Sequence, residues 1–514
     1  MLRIWCLGLS DPQWPERMRA LCDAIGAEVV YWTAMQNCEQ TVQQHFPQVM
    51  FQVMADAILG KAVPVRDEPY VPCDQKLLDA MQPYQLTALK LMDRMDPTGR
   101  SFSFNARLRH YYRQLEQWYN LLLQSMPDVV FFPITPHANY DYIVYRLCQY
   151  LGIQTVLLER TAIPSRTLVG GSIAEPSAAL AVQYQVIRNA QQGAVSLPEP
   201  LEQYLQRVQG SYEQGMPLNV QKKIARTRHN SYSSQGAGLW FILRYELSKY
   251  RSYLRKGAKL LRDNYWVSAR YDPEEMRFSY ALEMVQRLLA GLHKYELKIA
   301  YNEYQTQELP DEPYVFVALH YQPERNSLPI SDWYADQYLM IDLLSKELPK
   351  GWKLYVKEHT QQWSYFAKGE RARSVSFYKD LLELDNVRLV PTDMTSFDLI
   401  DKAVATATIA GSAGWESLVR GKPALVFGEA WYQGVEGCYR VKTRADLRGA
   451  LQAIQEKPGV DKDQIRLFLK ALDECSLHCV IDSVREDHGE VEPGVMLDHF
   501  VQTVGRFIRG KQAA

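Results

Sequence analysis

The chain has 514 residues, and its 58 Lys+Arg against 59 Asp+Glu leave a formal net charge of −1. With 47% hydrophobic and 23% charged residues it has the composition of an ordinary globular protein of two to four domains. The eight cysteines are scattered, which excludes a disulfide framework; no run approaches the length of a membrane-spanning helix, and the charge balance speaks neither for nor against nucleic acid.

Strand and helix patterns alternate through the first third. The apolar run Leu2–Leu7 predicts a buried strand; Ser10-Asp11-Pro12 ends it too soon for a secretory leader, so a cytoplasmic location is expected. A helix over Glu16–Ile25, a strand over Glu28–Trp32 and a Gln/Met/Leu-rich helical stretch over 74–125 follow. Asp128–Pro133 (DVVFFP) reads as a buried strand, Tyr140–Leu151 as a helix and Gln154–Glu159 as a strand. Such alternation predicts a parallel sheet with helices on both faces.

From about 200 to 300 the pattern is helical and rich in Tyr and Arg. Lys222 to Asp263 holds eleven Lys/Arg and two acids, interleaved with Trp240, Phe241 and Tyr245. This suits peripheral contact with an anionic membrane face, or a helical linker whose basic side is simply solvated. Alternation resumes at Pro313: strands over Tyr314–Leu319, Trp352–Lys357 and Val387–Val390, helices over Trp333–Leu348, 374–384 and Thr395–Lys402. Helices near 444–456, 462–474 and 492–508 close the chain. Cys475-Ser476-Leu477-His478-Cys479 is a local Cys/His cluster without a second pair to complete four ligands, so no metal is expected and helical residues are.

The most informative stretch is 403–434. An apolar run, Val404 to Ile409, ends in Gly411-Ser412-Ala413-Gly414; a short helix, Trp415 to Arg420, follows; Gly421-Lys422-Pro423 stops it before the strand Ala424 to Phe427. Small residues at a helix N-terminus expose unpaired backbone N–H groups to a phosphate. Glu416 in the first turn suits a ribose hydroxyl. The same turn also serves close helix–sheet packing.

In doubly wound sheets ligands bind beyond the carboxyl ends of the strands. In the C-terminal half those ends carry His320 to Arg325, Lys357 to Thr360, Pro391 to Ser396, Gly411 to Glu416 and Gly428 to Tyr432. Arg325, Lys357 and His359 suit phosphate charge, and Ser396 and Ser412 offer hydroxyls at helix N-termini. In the N-terminal half, Asp11, His137, Asp141 and Glu159 are candidates for a general base acting on an acceptor hydroxyl, with Asp141 equally suited to helix capping.

The runs LHYQPERNSLP (319–329), GWKLYVKEH (351–359), PTDMTSFDLIDKA (391–403) and TIAGSAGWESLVRGKPALVFGEAWY (408–432) resemble the capsule polysaccharide biosynthesis family, which includes bacterial capsule Kdo transferases. FFPITPH (131–137) and LLERTAIPSR (157–166) extend the resemblance to the first half. It implies a GT-B fold: two Rossmann-like domains facing a cleft, with a helical middle region. It implies a nucleotide-sugar donor bound by Gln322, Arg325, Lys357, Ser396, Gly411, Ser412, Ala413, Gly414 and Glu416, and catalysis drawing on His359, Glu159, Asp141 or His137. No metal and no cofactor beyond the sugar nucleotide are implied. Gln322-Pro323 matches a Gln-Pro element of such transferases, whereas Thr360 stands where a His-Pro pair would place proline, leaving CMP-, UDP- and GDP-linked donors open.

The expected organisation is an acceptor-side domain over 1–199, a helical basic linker over 200–305, a donor domain over 306–480 and a C-terminal helix over 481–514 crossing back to the first domain. The expected partners are a nucleotide sugar and a glycan or lipid-linked acceptor, with no nucleic acid. A nucleotide-sugar epimerase of the same architecture and a non-catalytic glycan- or nucleotide-binding assembly protein are the alternatives.

Overall fold

A computed structural model describes residues 1–61, 70–96, 102–190, 193, 195–215, 280–306, 308, 310–322, 324–363, 369–481 and 492–512. The basic segment Lys222–Asp263 lies outside these residues. The chain forms two compact units: Met1–Met92, Phe104–Ile187 and Lys470–Ala514 make the first, and Asp93–Ser103 with Arg188–Leu469 the second.

The first unit is built on seven strands: β1 (Leu2–Leu7), β2 (Ala27–Ala34), β3 (Met50–Val53), β4 (Val129–Phe132), β5 (Gln154–Arg160), β6 (Arg166–Gly170) and β13 (Leu477–His478). Their order is β13-β6-β5-β4-β1-β2-β3. Strands β1 to β5 pair in parallel. The side chains of β4 and the centre of β5 are buried on both faces, which is why these strands read as near-continuous apolar runs. A parallel sheet was expected, but this one is mixed, because β6 runs antiparallel to β5 and β13 antiparallel to β6. Only five residues join β5 to β6, too few for a crossover. The Thr161 hydroxyl donates to the Arg166 carbonyl at 2.7 Å and accepts from the Ile163 N–H, closing the hairpin.

The helical stretch expected over 74–125 is two helices, Gln75–Leu91 and Phe104–Ser125. Helix Pro493–Gln512 packs on helix Trp14–Ile25, with Phe500 edge-on to Trp14 and Phe131. The Cys475–Cys479 run is not helical throughout. Cys475 ends the helix Lys462–Cys475, Leu477–His478 pairs as a strand, and the buried Cys479 thiol donates to the Val480 carbonyl. No metal-holding group of three His, Cys, Asp or Glu occurs among the described residues.

The second unit carries β7 (Tyr314–Ala318), β8 (Lys353–Lys357), β9 (Val387–Leu389), β10 (Ala405–Thr408), β11 (Ala424–Val426) and β12 (Cys438–Arg440). All neighbours are parallel, in the order β12-β11-β10-β7-β8-β9. Val315, Val317, Leu354, Val356, Ala405, Ala407 and Leu425 are fully buried and form its centre. This is the doubly wound Rossmann order, and it reverses between β7 and β10. Two Rossmann-type sheets in one chain are what a GT-B protein is built from.

Candidate functional site: the switch points of the two sheets

The strand order of the second unit reverses between β7 and β10, and in doubly wound sheets the loops leaving such a pair of strands are where ligands bind. His320 follows β7 and is buried. Its backbone N–H donates to the Gln337 side-chain carbonyl at 2.7 Å, and the Gln337 amide donates back to the His320 carbonyl at 2.8 Å. Its ring crosses to β10: Nε2 lies 2.9 Å from the Thr408 hydroxyl and Nδ1 3.8 Å from Glu324. Burial works to raise the Glu324 carboxyl. The hydrogen bond from His320 and the nearby His359, His320 and Arg325 outweigh it and hold the group below its usual range.

The small-residue turn sits against this histidine. Gly411 caps the helix Ser412–Val419, and a Cβ there would come within 2.6 Å of the His320 ring. A Cβ on Gly414 would overlap the Tyr432 hydroxyl, which donates to the Gly411 carbonyl at 2.5 Å. Both glycines therefore answer close approach. Trp415 fixes the helix from behind: its indole N–H donates to Tyr204 at 2.9 Å, and its ring packs on Trp431. The Gly414 N–H turns back to the Gly411 carbonyl at 3.2 Å, while the other first-turn amides of such a helix have no i−4 acceptor and present donors where an anion can sit. Ser412 is exposed, Ala413 half-buried.

Lys357 ends β8 and is buried, its ammonium donating to the Met394 carbonyl. Burial brings its pKa down to about 8, against the pull of Asp393, Glu416 and Asp398. Glu416 moves the opposite way: burial raises it, while the Ser412 hydroxyl, Lys357 and Arg420 hold it back. Lys357 and Glu416 thus share one electrostatic neighbourhood. Ser396 is the first residue of helix Ser396–Lys402, but the capping hydroxyl is that of Thr395, which accepts from the Asp398 N–H at 3.1 Å.

The next residues along are braced from below. The Glu358 carboxylate is fully buried, takes hydrogen bonds from Arg373 Nε at 2.8 Å and the Tyr378 hydroxyl at 2.9 Å, and accepts the His359 N–H. That network holds His359 at the surface of the unit. His359 Nδ1 accepts the Gln361 N–H at 3.0 Å, so the neutral ring carries its proton on Nε2. Tyr321 lies 5.0 Å from the ring. Arg325 is half-buried and donates to Asn326, and the buried Gln322 amide donates to the Ala335 carbonyl.

Residues 334–448 match the family model described as capsule polysaccharide biosynthesis protein. The match covers under a quarter of the chain. It runs from before β8 to the helix after β12, and it contains Lys357, His359, Ser396, the glycine turn, Glu416 and Tyr432. His320 to Arg325 and the whole first unit lie outside the match. No curated protein gives a significant match to the chain. Among solved structures, the beta Kdo 2,7 transferase KpsC of Thermosulfurimonas dismutans is 13% identical over 44% of this chain and 66% of that one, at a TM-score of 0.24. The chain thus spans just under two thirds of that chain's length. The UDP-GlcNAc 2-epimerase of Methanocaldococcus jannaschii is 10% identical over 92% and 100%, at 0.24. S. aureus MnaA with UDP is 11% identical over 99% and 97%, at 0.22. Likenesses at this level leave the architecture to be read from the strand order itself.

The first unit reverses its strand order between β1 and β4, and its candidates gather beyond β4 and β5. The Thr135 hydroxyl donates to Glu159 at 2.9 Å. His137 Nδ1 donates to the Thr135 carbonyl at 2.9 Å, so the neutral ring keeps its lone pair on Nε2. The Asp141 carboxylate accepts the N–H groups of Ala138 at 2.8 Å and His137 at 3.3 Å at the start of helix Asn139–Leu151. Its geometry is that of a cap. Beyond β1, Asp11 accepts the Gln13 N–H at 3.1 Å. Sequence reasoning placed His320, Glu324 and Tyr432 at strand ends without giving them a role, and gave none to Thr408. The available signal was position, since three of them stand in strand-end loops and Thr408 closes β10.

Proposed function

We propose that the chain is a glycosyltransferase of capsule or surface polysaccharide assembly, taking a sugar from a nucleotide donor to a glycan or lipid-linked acceptor. The observation that carries this is the strand-order reversal between β7 and β10. A glycine turn of the family segment is packed on His320 and Tyr432, with donor N–H groups at a helix N-terminus and Lys357 and Glu416 beside it. In this reading the donor phosphates meet the turn at Gly411–Gly414, Glu416 accepts from the ribose, and His359 donates from Nε2 to the leaving phosphate. His137 is the preferred general base: its Nδ1–H is committed to a carbonyl, while Asp141 is committed to a cap. Charge on the leaving group is met by these protein donors, so turnover is expected to survive chelation of divalent metal.

The test is incubation of the full chain with a panel of CMP-, UDP- and GDP-linked sugars, with and without oligosaccharide acceptors, followed by mass spectrometry. Transfer, or slow donor hydrolysis without acceptor, supports the proposal. Inversion at sugar C2 assigns an epimerase instead, and binding without turnover assigns an assembly protein.

A further inference from the structure

Helix Pro493–Gln512 lies on the sheet of the first unit and packs on helix Trp14–Ile25, β5, β6 and β13. Its apolar face, Met496, Phe500, Val504 and Ile508, is buried in the core of that unit. A pair of histidines joins its first half to the sheet edge. The His478 backbone N–H, at the end of β13, donates to His499 Nδ1 at 3.1 Å, and the two rings lie 5.0 Å apart. His499 can accept that bond only as a neutral ring with its proton on Nε2. His478 Nε2 lies 2.8 Å from the Asp473 carbonyl, so it carries a proton and donates.

The surroundings of the pair disfavour a further positive charge. Arg166 of β6 stands over it, and Arg506 follows about two turns along the same helix as His499. Asp473 is the acid that faces the pair, and its carboxylate is taken by Arg166 at 2.6 Å, with His478 Nε2 3.5 Å away. Asp498, next to His499 in the chain, is exposed. Helix Trp14–Ile25 contributes Arg17, which donates to the Val480 carbonyl at 2.8 Å, and β5 contributes only the neutral Gln154 amide, bonded to the Ile508 carbonyl at 3.3 Å. The Cys475 thiol is pushed up to about 11 by burial and stays neutral. Burial, then His478, Arg506 and Arg166, hold His499 below its usual range. Burial and Arg166 do the same to His478, against the pull of Asp473.

We propose that His499 is a pH-sensitive latch: a proton on Nδ1 removes the acceptor of the His478 N–H and releases β13 from the first turns of helix Pro493–Gln512, while Phe500, Val504 and Ile508 keep the rest of the helix docked. The added proton sets a donor against a donor and places a cation beside Arg166 and Arg506. Because the docked ring takes a proton less readily than a free one, the contact is complete above the free value of about 6.5 and is lost as pH falls below it. One pH unit lower, His499 alone favours release by up to about tenfold. His478 is not the trigger, since its added proton enters at Nδ1 and leaves the bond to the Asp473 carbonyl in place. The latch is separate from both switch points and does not rest on the transferase reading.

The test is amide hydrogen exchange of the full chain, read by mass spectrometry at pH 7.5 and pH 5.5 with each rate divided by the intrinsic rate at that pH. Peptides over 476–481 and 493–499 are expected to lose protection several-fold, up to about tenfold, at the lower pH. Residues 500–508, and β7 and β8 of the second unit, are expected to keep theirs. His499→Asn and His499→Ala both remove the titrating ring and are expected to abolish the pH response. Asn, whose amide oxygen stands near the place of Nδ1, is expected to stay protected at both pH values, and Ala to be unprotected at both. His478→Gln keeps the backbone N–H and a side-chain donor toward the Asp473 carbonyl, and is expected to keep the response. Equal protection of the parent at both pH values, a response that persists in either His499 variant, one abolished by His478→Gln, or a loss spread over the whole first unit overturns the proposal.

Discussion

Gly414→Ala tests how the glycine turn is built. The added Cβ would overlap the Tyr432 hydroxyl and lie 3.0 Å from Tyr432 Cζ and 3.1 Å from Thr408 Cγ2. The helix cannot retreat, because Trp415 behind it is fully buried and hydrogen-bonded to Tyr204. Tyr432 must move instead, giving up its bond to the Gly411 carbonyl. Overpacking costs about 1–3 kcal/mol, and a buried acceptor left without its donor about 1–3 kcal/mol more. The second unit is therefore expected to lose about 2–6 kcal/mol. Tyr432→Phe alone removes only the bond and leaves the same carbonyl without its donor, for about 1–3 kcal/mol. In the double variant the overlapping oxygen is gone, so the two losses are expected to fall short of their sum by about 1–2 kcal/mol. Urea unfolding with residue-resolved hydrogen exchange in the second unit measures all four corners. Additivity within about 0.5 kcal/mol would show that Tyr432 is not the obstacle and refute the packing argument.

The strands of both sheets were legible because burial on two faces forces long apolar runs, as in Val315–Val317 and Phe131–Phe132. What the periodicity missed has local causes. β13 is two residues long, and β12 (CYR) and β3 (MFQV) are only partly buried and carry no uninterrupted apolar run. β6 (RTLVG) has no marked alternation, and only the short connection from β5 makes it antiparallel. After Leu91 the helix gives way to one tighter turn over Met92–Arg94, which the run of apolar residues does not announce. The site was half legible. The glycine turn, Lys357, His359 and Glu416 announce themselves by standing just after apolar runs. The pairing of His320 with Thr408 does not, because the two are 88 residues apart and meet only through the strand-order reversal. The same holds for Glu358, Arg373 and Tyr378: a charged pair in a sequence gives no sign of whether it will be sealed inside.

Glu358→Gln is expected to destabilise the second unit by about 3–5 kcal/mol, because it leaves the Arg373 guanidinium buried without its counter-charge; a change below about 1 kcal/mol in urea unfolding would contradict that. His137→Ala is expected to lower kcat about 100-fold or more with unfolding nearly unchanged, as removal of a general base does, and unchanged kcat in an acceptor assay removes it from that role. The last expectation concerns Lys357 and pH. Burial lowers its amine from 10.5 to about 8 in the native chain, so between those values the unfolded chain holds a proton that the native one lacks. Stability contributed by this residue must therefore rise with pH across that window and be lost as pH falls back through about 8. Two pH units of that slope amount to about 2–3 kcal/mol by pH 10. Lys357→Met removes the titration while leaving the other groups of the chain in place. The stability of the parent minus that of Lys357→Met is thus expected to climb from pH 8 to pH 10 in urea titrations. A flat or falling difference would mean that Asp393, Glu416 and Asp398 hold the ammonium charged, and that burial does not govern this residue.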